Sequence, residues 1–202
     1  DRNFENLPLN GQLKKVPWSG YYWPTYEGGA TYRWNKETEE KHEKYGYTIL
    51  TEETIGDVNI ADLSPAEKYD LYLGQFSFPL TNYERDRTKI MKTVPGSSEY
   101  EEGFKLPTWE GLCHAWAPAT LAYDNPSPVV IEGKKGHEIA FGSSDIKALI
   151  MINFELNRQG RRTKFLGSRC NLKKKDQGFS RNEKCDDTNA GAFHVVLTNL
   201  VG

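Results

Sequence analysis

Trp109-Glu110-Gly111-Leu112-Cys113-His114-Ala115-Trp116-Ala117-Pro118 is the stretch on which the fold turns. A glycine two residues before a cysteine lets the chain turn sharply into a helix. The cysteine then occupies the first helical turn. Free backbone N–H groups and the positive end of the helix dipole stabilise a thiolate there. The same N–H groups can hold a tetrahedral oxyanion. Ala115, Trp116 and Ala117 are expected to pack the helix into a core, with Trp116 as the anchor. Pro118 has no N–H and is tolerated only within about the first turn, which puts the helix start near Leu112. The competing reading of Cys113 is a buried structural cysteine in a Trp-rich core.

A second element lies far along the chain, at Gly191-Ala192-Phe193-His194-Val195-Val196-Leu197. The β-branched run predicts a strand with a histidine at its head, and the small residues before it leave room for a ligand. An imidazole against Cys113 would form a thiolate–imidazolium pair. By itself His194 reads equally well as a satisfied core histidine. The other histidines are weaker candidates. His114 follows Cys113 on a helix, so its side chain points roughly 100° away. His137 and His42 read as surface residues.

The whole chain has 202 residues, 37% of them hydrophobic, which is enough for one substantial core. No stretch approaches the ~18 apolar residues of a membrane span. The polar start, Asp1 to Asn6, has no signal-peptide pattern, so the chain reads as soluble and, if exported, as mature. A net charge of −2 argues against a nucleic-acid footprint. The basic run Lys173, Lys174, Lys175 reads as a solvated loop rather than a polyanion site. Of three cysteines, Cys170 and Cys185 flank a polar loop, and the odd count predicts one bridge plus one free thiol. A Cys170–Cys185 bridge closes about 15 residues and contributes roughly 3 kcal/mol in the chain-entropy account. The rival is a metal pair, but no CxxC or HxxxH spacing supports it. A bridge implies an oxidising compartment, hence a secreted, periplasmic or extracellular protein.

Residues 1–62 read as an aromatic, loop-rich segment packing on a core formed by residues 63–202. Trp18, Tyr21, Tyr22, Trp23, Tyr26, Tyr32 and Trp34 are interrupted by Pro17, Gly20, Pro24, Gly28 and Gly29, and no period survives so many breakers. Core packing is one reading of these rings and a platform for sugar or peptide is the other. A helix follows, capped by Ser64 with Pro65 at its first position and Glu67 completing a capping box; Gly74 ends it. Tyr69, Tyr72 and Leu73 form its expected apolar side. Thr81 to Glu102 reads as helix and loop. Val129 to Ile131 and Glu138 to Phe141 read as a hairpin turned by Gly133-Lys134-Lys135-Gly136. Ser143 or Ser144 caps a long helix to about Arg158, apolar on nearly every side and hence central. Two oxygen-rich groups, Asp57/Asn59/Asp62 and Asp186/Asp187/Asn189, lack the spacing of an EF-hand and read as caps and turns, so no metal site is assigned.

With these segments in place, the sequence resembles the transglutaminase elicitor family of oomycete cell-wall enzymes and their bacterial relatives. The resemblance rests on Leu63 to Asp70, Gly111 to Pro118, Ser144 to Leu149, Arg169 to Asn171 and His194 to Gly202, supported by Trp23-Pro24 and Tyr32-Arg33-Trp34. It implies an α+β, papain-like cysteine protease/transglutaminase fold, with Cys113 at the N-terminus of a central helix and His194 on a β-strand. It also implies isopeptide bonds between protein Gln and Lys side chains through a Cys113 thioester, and a secreted protein. No cofactor is required for that chemistry, although the resemblance suggests calcium dependence. Trp109 is a candidate oxyanion donor or rim residue. The family continues past the histidine into a segment with a carboxylate; here the chain stops at Gly202, so the third triad residue is expected on a cleaved C-terminal fragment, as in a zymogen. Asn199, an odd number of residues from His194, is rejected for that role. The rival functions are a cysteine peptidase or glutamine deamidase using the same pair, and a non-enzymatic recognition protein.

Overall fold

The computed structural model describes residues 1–157 and 188–201, which carry five α-helices and one two-stranded antiparallel sheet. The mixed α and β composition expected from sequence is present. Two compact units divide the chain, Pro17–Arg158 and Asp1–Val16 with Gln159–Gly202. Cys170, Cys185, the lysine run, Asp186 and Asp187 lie outside the described residues. Among the described residues, no helix is long and apolar enough to cross a membrane.

In the larger unit, α1 (Pro65–Tyr72) begins as its punctuation dictates. Ser64 Oγ accepts from the Glu67 N–H, and the Glu67 carboxylate accepts from the Ser64 N–H at 3.0 Å. Gly74 follows the helix with φ 67°, a conformation that costs glycine little. α2 spans Pro79–Thr88 and α3 spans Cys113–Ala122. Strands β1 (Val129–Glu132) and β2 (Glu138–Phe141) pair from Val129↔Phe141 to Glu132↔Glu138 across the expected Gly-Lys-Lys-Gly turn. α4 (Ser143–Leu156) follows, with Gly142 rather than a serine at its cap position; the Asp145 carboxylate accepts from the Gly142 N–H at 2.8 Å. α4 sits centrally as its all-round apolarity predicts, burying Ala148, Met151, Ile152 and Phe154. Trp18 and Trp23 pack with Leu112, Ala115, Ala119 and these α4 residues. For those two indoles, core packing is the reading that holds.

The apolar side expected on α1 is not the side it buries. Tyr69 is exposed, whereas Glu67, Lys68 and Asp70 are buried together with Ala66 and Leu71. Each buried charge has partners. Glu67 takes a two-pronged bond from Arg33, Nε at 3.0 Å and a terminal nitrogen at 2.6 Å. Lys68 Nζ reaches Asp145 at 2.7 Å, and Asp145 also accepts from Trp34 Nε1 at 2.7 Å. Asp70 accepts from the N–H groups of Leu80 and Thr81 at 3.0 and 2.9 Å, which fixes the start of α2. Desolvation, offset in part by these bonds, pushes the Asp70 carboxyl above its ordinary range.

The second unit corrects the strand expected at the histidine. Residues Ala190–Val201 form helix α5, and His194 lies in its first half. Asn189 Oδ1 accepts from the Ala192 N–H at 3.0 Å, an N-terminal cap that a strand has no use for. Thr198 Oγ1 returns to the His194 carbonyl at 2.8 Å, satisfying a hydroxyl within the helix. A short apolar run of this kind suits either a strand or a helix, and the cap decides it. The N-terminal segment packs on the same helix: the Phe4 and His194 rings lie 5.3 Å apart, and Asn199 Nδ2 donates to the Asp1 carbonyl at 2.9 Å.

Replacing Glu67 by Gln leaves Arg33 buried without its full countercharge. Urea denaturation should register a loss of about 3–5 kcal/mol, as for other broken buried pairs. Glu101→Gln, which removes the exposed partner of Lys92, should change stability by less than about 1 kcal/mol.

Candidate active site

The thiol of Cys113 is exposed and free, and Cys113 is the first residue of α3. The buried-structural-cysteine reading therefore fails. No side chain caps this helix start. The Ala115 and Trp116 N–H groups both return to the Leu112 carbonyl, at 3.0 and 2.9 Å. The Cys113 and His114 amides thus have no intrahelical acceptor and sit at the positive end of the helix. Such a site favours an anion next to the sulfur.

The loop before Cys113 is held by residues some ninety positions earlier. Leu112 N–H donates to the Tyr22 carbonyl at 2.7 Å, and Thr25 N–H donates to the Glu110 carbonyl at 2.8 Å. Tyr22 Oη donates to the Thr108 carbonyl at 3.0 Å. A Cβ on Gly111 would lie 2.6 Å from the Tyr22 carbonyl oxygen and 2.7 Å from its ring, so only glycine fits this approach. Trp23, fully buried, adopts φ 48°, a left-handed conformation rare for an indole residue. The glycine before the cysteine was legible in the sequence; its long-range partner was not.

α3 is anchored on its inner side by Ala115 and Ala119, while Ala117, expected to be buried, is exposed. Trp116 stacks on Trp18 at 6.5 Å and its Nε1 donates to the Trp18 carbonyl at 3.2 Å. The helix runs on past Pro118, its sixth residue and beyond the first turn. The proline removes only the donor that would have met the His114 carbonyl. His114, set off from Cys113 around the helix, hydrogen-bonds the Glu155 carboxylate on α4. Nothing in the sequence marked Glu155 as a member of this neighbourhood. Trp109 is exposed on the same loop. His194 belongs to the other compact unit, with its ring against Phe4. Among the described residues, no group of three or more His, Cys, Asp or Glu is placed to hold a metal. Asn59 caps a turn by accepting from the Ala61 N–H at 3.1 Å.

The arrangement presents one exposed sulfur at a helix start, clamped from behind by backbone. Residues 1–202 match the transglutaminase elicitor family. The chain belongs to that family. No curated protein matches it. Among solved structures it is similar to the crystal structure of the GP42 transglutaminase from Phytophthora sojae, with a TM-score of 0.56 and 20% identity. The match covers 100% of this chain and 50% of that one, so the chain spans half the length of its structural relative. At this identity the likeness is one of fold, helices with a small sheet.

Gly111→Ala tests the clamp. The methyl group meets backbone that cannot step aside, and urea melts should show a loss of about 1–3 kcal/mol. Gly56→Ala, where nothing lies within 4 Å, should stay within about 0.5 kcal/mol of the parent.

Proposed function

We propose that this chain is the catalytic part of a secreted protein-glutamine gamma-glutamyltransferase of papain-like type. The observation that carries the reading is the exposed Cys113 thiol at the uncapped start of α3, in a chain that belongs to the transglutaminase elicitor family. In the mechanism, the Cys113 thiolate attacks the carboxamide carbon of a protein glutamine. The Cys113 and His114 amides receive the developing oxyanion, with the Trp109 indole N–H as a further donor. The C–N bond breaks, His194 as imidazolium gives its proton to the departing ammonia, and a thioester remains. A lysine amine then attacks the thioester, the C–S bond breaks, His194 takes the amine proton, and an isopeptide bond is released. Water in place of the amine gives the deamidase, and water together with a backbone carbonyl in place of the carboxamide gives the peptidase.

Incubation with a glutamine donor peptide and a labelled primary amine tests this assignment. The parent protein should incorporate the amine; ammonia release or peptide cleavage without incorporation would select one of the hydrolytic rivals. Cys113→Ala should lower the rate by about 10⁴ or more, and His194→Ala by about 10²–10⁴. His114→Ala should retain most of the activity. The opposite outcome, a dead His114→Ala beside an active His194→Ala, would move the base to the His114–Glu155 pair.

A further inference from the structure

The segment that clamps the Cys113 loop carries a feature the mechanism leaves unused. Glu27 is only 7% exposed, and among the described residues no Lys or Arg pairs with it. Its carboxylate is surrounded by phenols instead. Tyr21 Oη donates to Glu27 Oε2. The Tyr21 ring meets the Tyr22 ring edge-on at 5.5 Å, and the Tyr22 ring presses on Gly111, two residues from the nucleophile. Burial, the Glu27 charge and the neighbouring Tyr22 push the Tyr26 hydroxyl up to about 12. Burial and Glu27 also raise Tyr32 and Tyr45, so one negative charge is felt across the whole cluster. Two of the buried polar atoms that lack a hydrogen-bond partner among the described residues, Trp23 Nε1 and Thr25 Oγ1, lie on this same stretch.

A buried carboxylate without a cation is costly unless hydrogen bonds or a visiting charge compensate it. Tyrosine rings present negative faces that attract ammonium groups. Tyr21 is exposed and Tyr22 and Tyr26 are half-buried, so all three residues reach the surface, and the Tyr22 ring lies against Gly111, two residues before the exposed Cys113. We propose that the Tyr21–Tyr22–Tyr26 face, backed by the Glu27 carboxylate, docks the lysine ammonium of the acceptor protein. The proposal rests on the transferase reading of Cys113 and adds a substrate subsite to it. The protons balance. The docked ammonium releases one proton to solvent before attack, matching the one that free ammonia takes up, and its next proton goes to His194.

Equilibrium binding tests the subsite without turnover. NMR titration of the Cys113→Ala protein with N-acetyl-lysine N-methylamide, against its neutral norleucine analogue, should give clear preference for lysine. Glu27→Gln, which keeps an acceptor for Tyr21, should weaken the lysine probe about tenfold and bring it level with norleucine. Tyr26→Leu should weaken it similarly and serves if Glu27→Gln fails to fold. In the active protein, Glu27→Gln should raise KM for cationic amines far more than for a neutral alkoxyamine. Equal binding of the two probes, or an unchanged lysine affinity in either variant, overturns the proposal. A parent protein that binds the lysine probe yet incorporates no amine would count against the transferase reading alone.

Discussion

The buried charges of α1 are the constraint on which the rest of the larger unit depends. Glu67 stands at the meeting point: it closes the helix cap through Ser64 and holds the Arg33 guanidinium. The Arg33 guanidinium in turn lies 3.6 Å from the centre of the Tyr47 ring, with Arg85 4.6 Å from the same ring. Tyr47 donates to the Thr31 carbonyl, and burial keeps its phenol neutral far above the ordinary range. One residue on, Lys68 and Trp34 converge on Asp145 of α4. Taking these ions out of water is expensive, and the net contribution to stability is small compared with an apolar replacement. What the ions provide is geometry. A guanidinium satisfied by one carboxylate and stacked on one ring admits few alternative packings.

That geometry matters because residues 17–62 contain no α-helix or strand to hold them in place. Their backbone is fixed by side chains from elsewhere. Arg33 and Trp34 tie the segment to α1 and α4. Lys147 of α4 donates to the Ser19 carbonyl at 2.7 Å and sits over the Trp18 ring. Between these two moorings run Tyr21 to Ala30, the residues that clamp Gly111 and Leu112 and surround Glu27. The position of Cys113 is therefore set by α3 on one side and by an irregular segment on the other, and α4 braces both.

The parts of this structure legible in the sequence are those with local signals. Ser64 and Glu67 announce a helix start within four residues, and Gly133 to Gly136 announce a hairpin turn. Gly111-Leu112-Cys113 announces an exposed thiol at a helix N-terminus. The buried face of α1 was not legible, because Glu, Lys and Asp read as solvent-facing until their partners at positions 33, 81 and 145 are known. Glu27 and Glu155 escaped for the same reason. The helix at His194 reads from sequence as a strand because Val195-Val196 outweigh the Asn189 cap and the small residues between them. In the candidate site, Cys113 was thus visible and its surroundings were not: they are built from contacts distant in sequence, 41 residues for His114–Glu155 and 86 for Tyr22–Thr108.

Trp23 joins the two levels. Its left-handed backbone costs on the order of 1–3 kcal/mol for a residue with a side chain. The turn at Trp23 lets the Tyr22 carbonyl face the Leu112 N–H while the Thr25 N–H, two residues further on, faces the Glu110 carbonyl. A relaxed Trp23 would break one of these bonds and free Gly111. The indole is buried against Leu112, Ala115 and α4, and relaxing the backbone would swing it out of that core. Burying a side chain of this size stabilises by about 2–3 kcal/mol and opposes the strain, although the indole Nε1 is left without a hydrogen-bond partner among the described residues. Packing thus opposes the cost at the position where the strained turn shapes the Cys113 loop. The ionic moorings at Arg33 and Trp34 keep the flanking chain from drifting to a cheaper conformation.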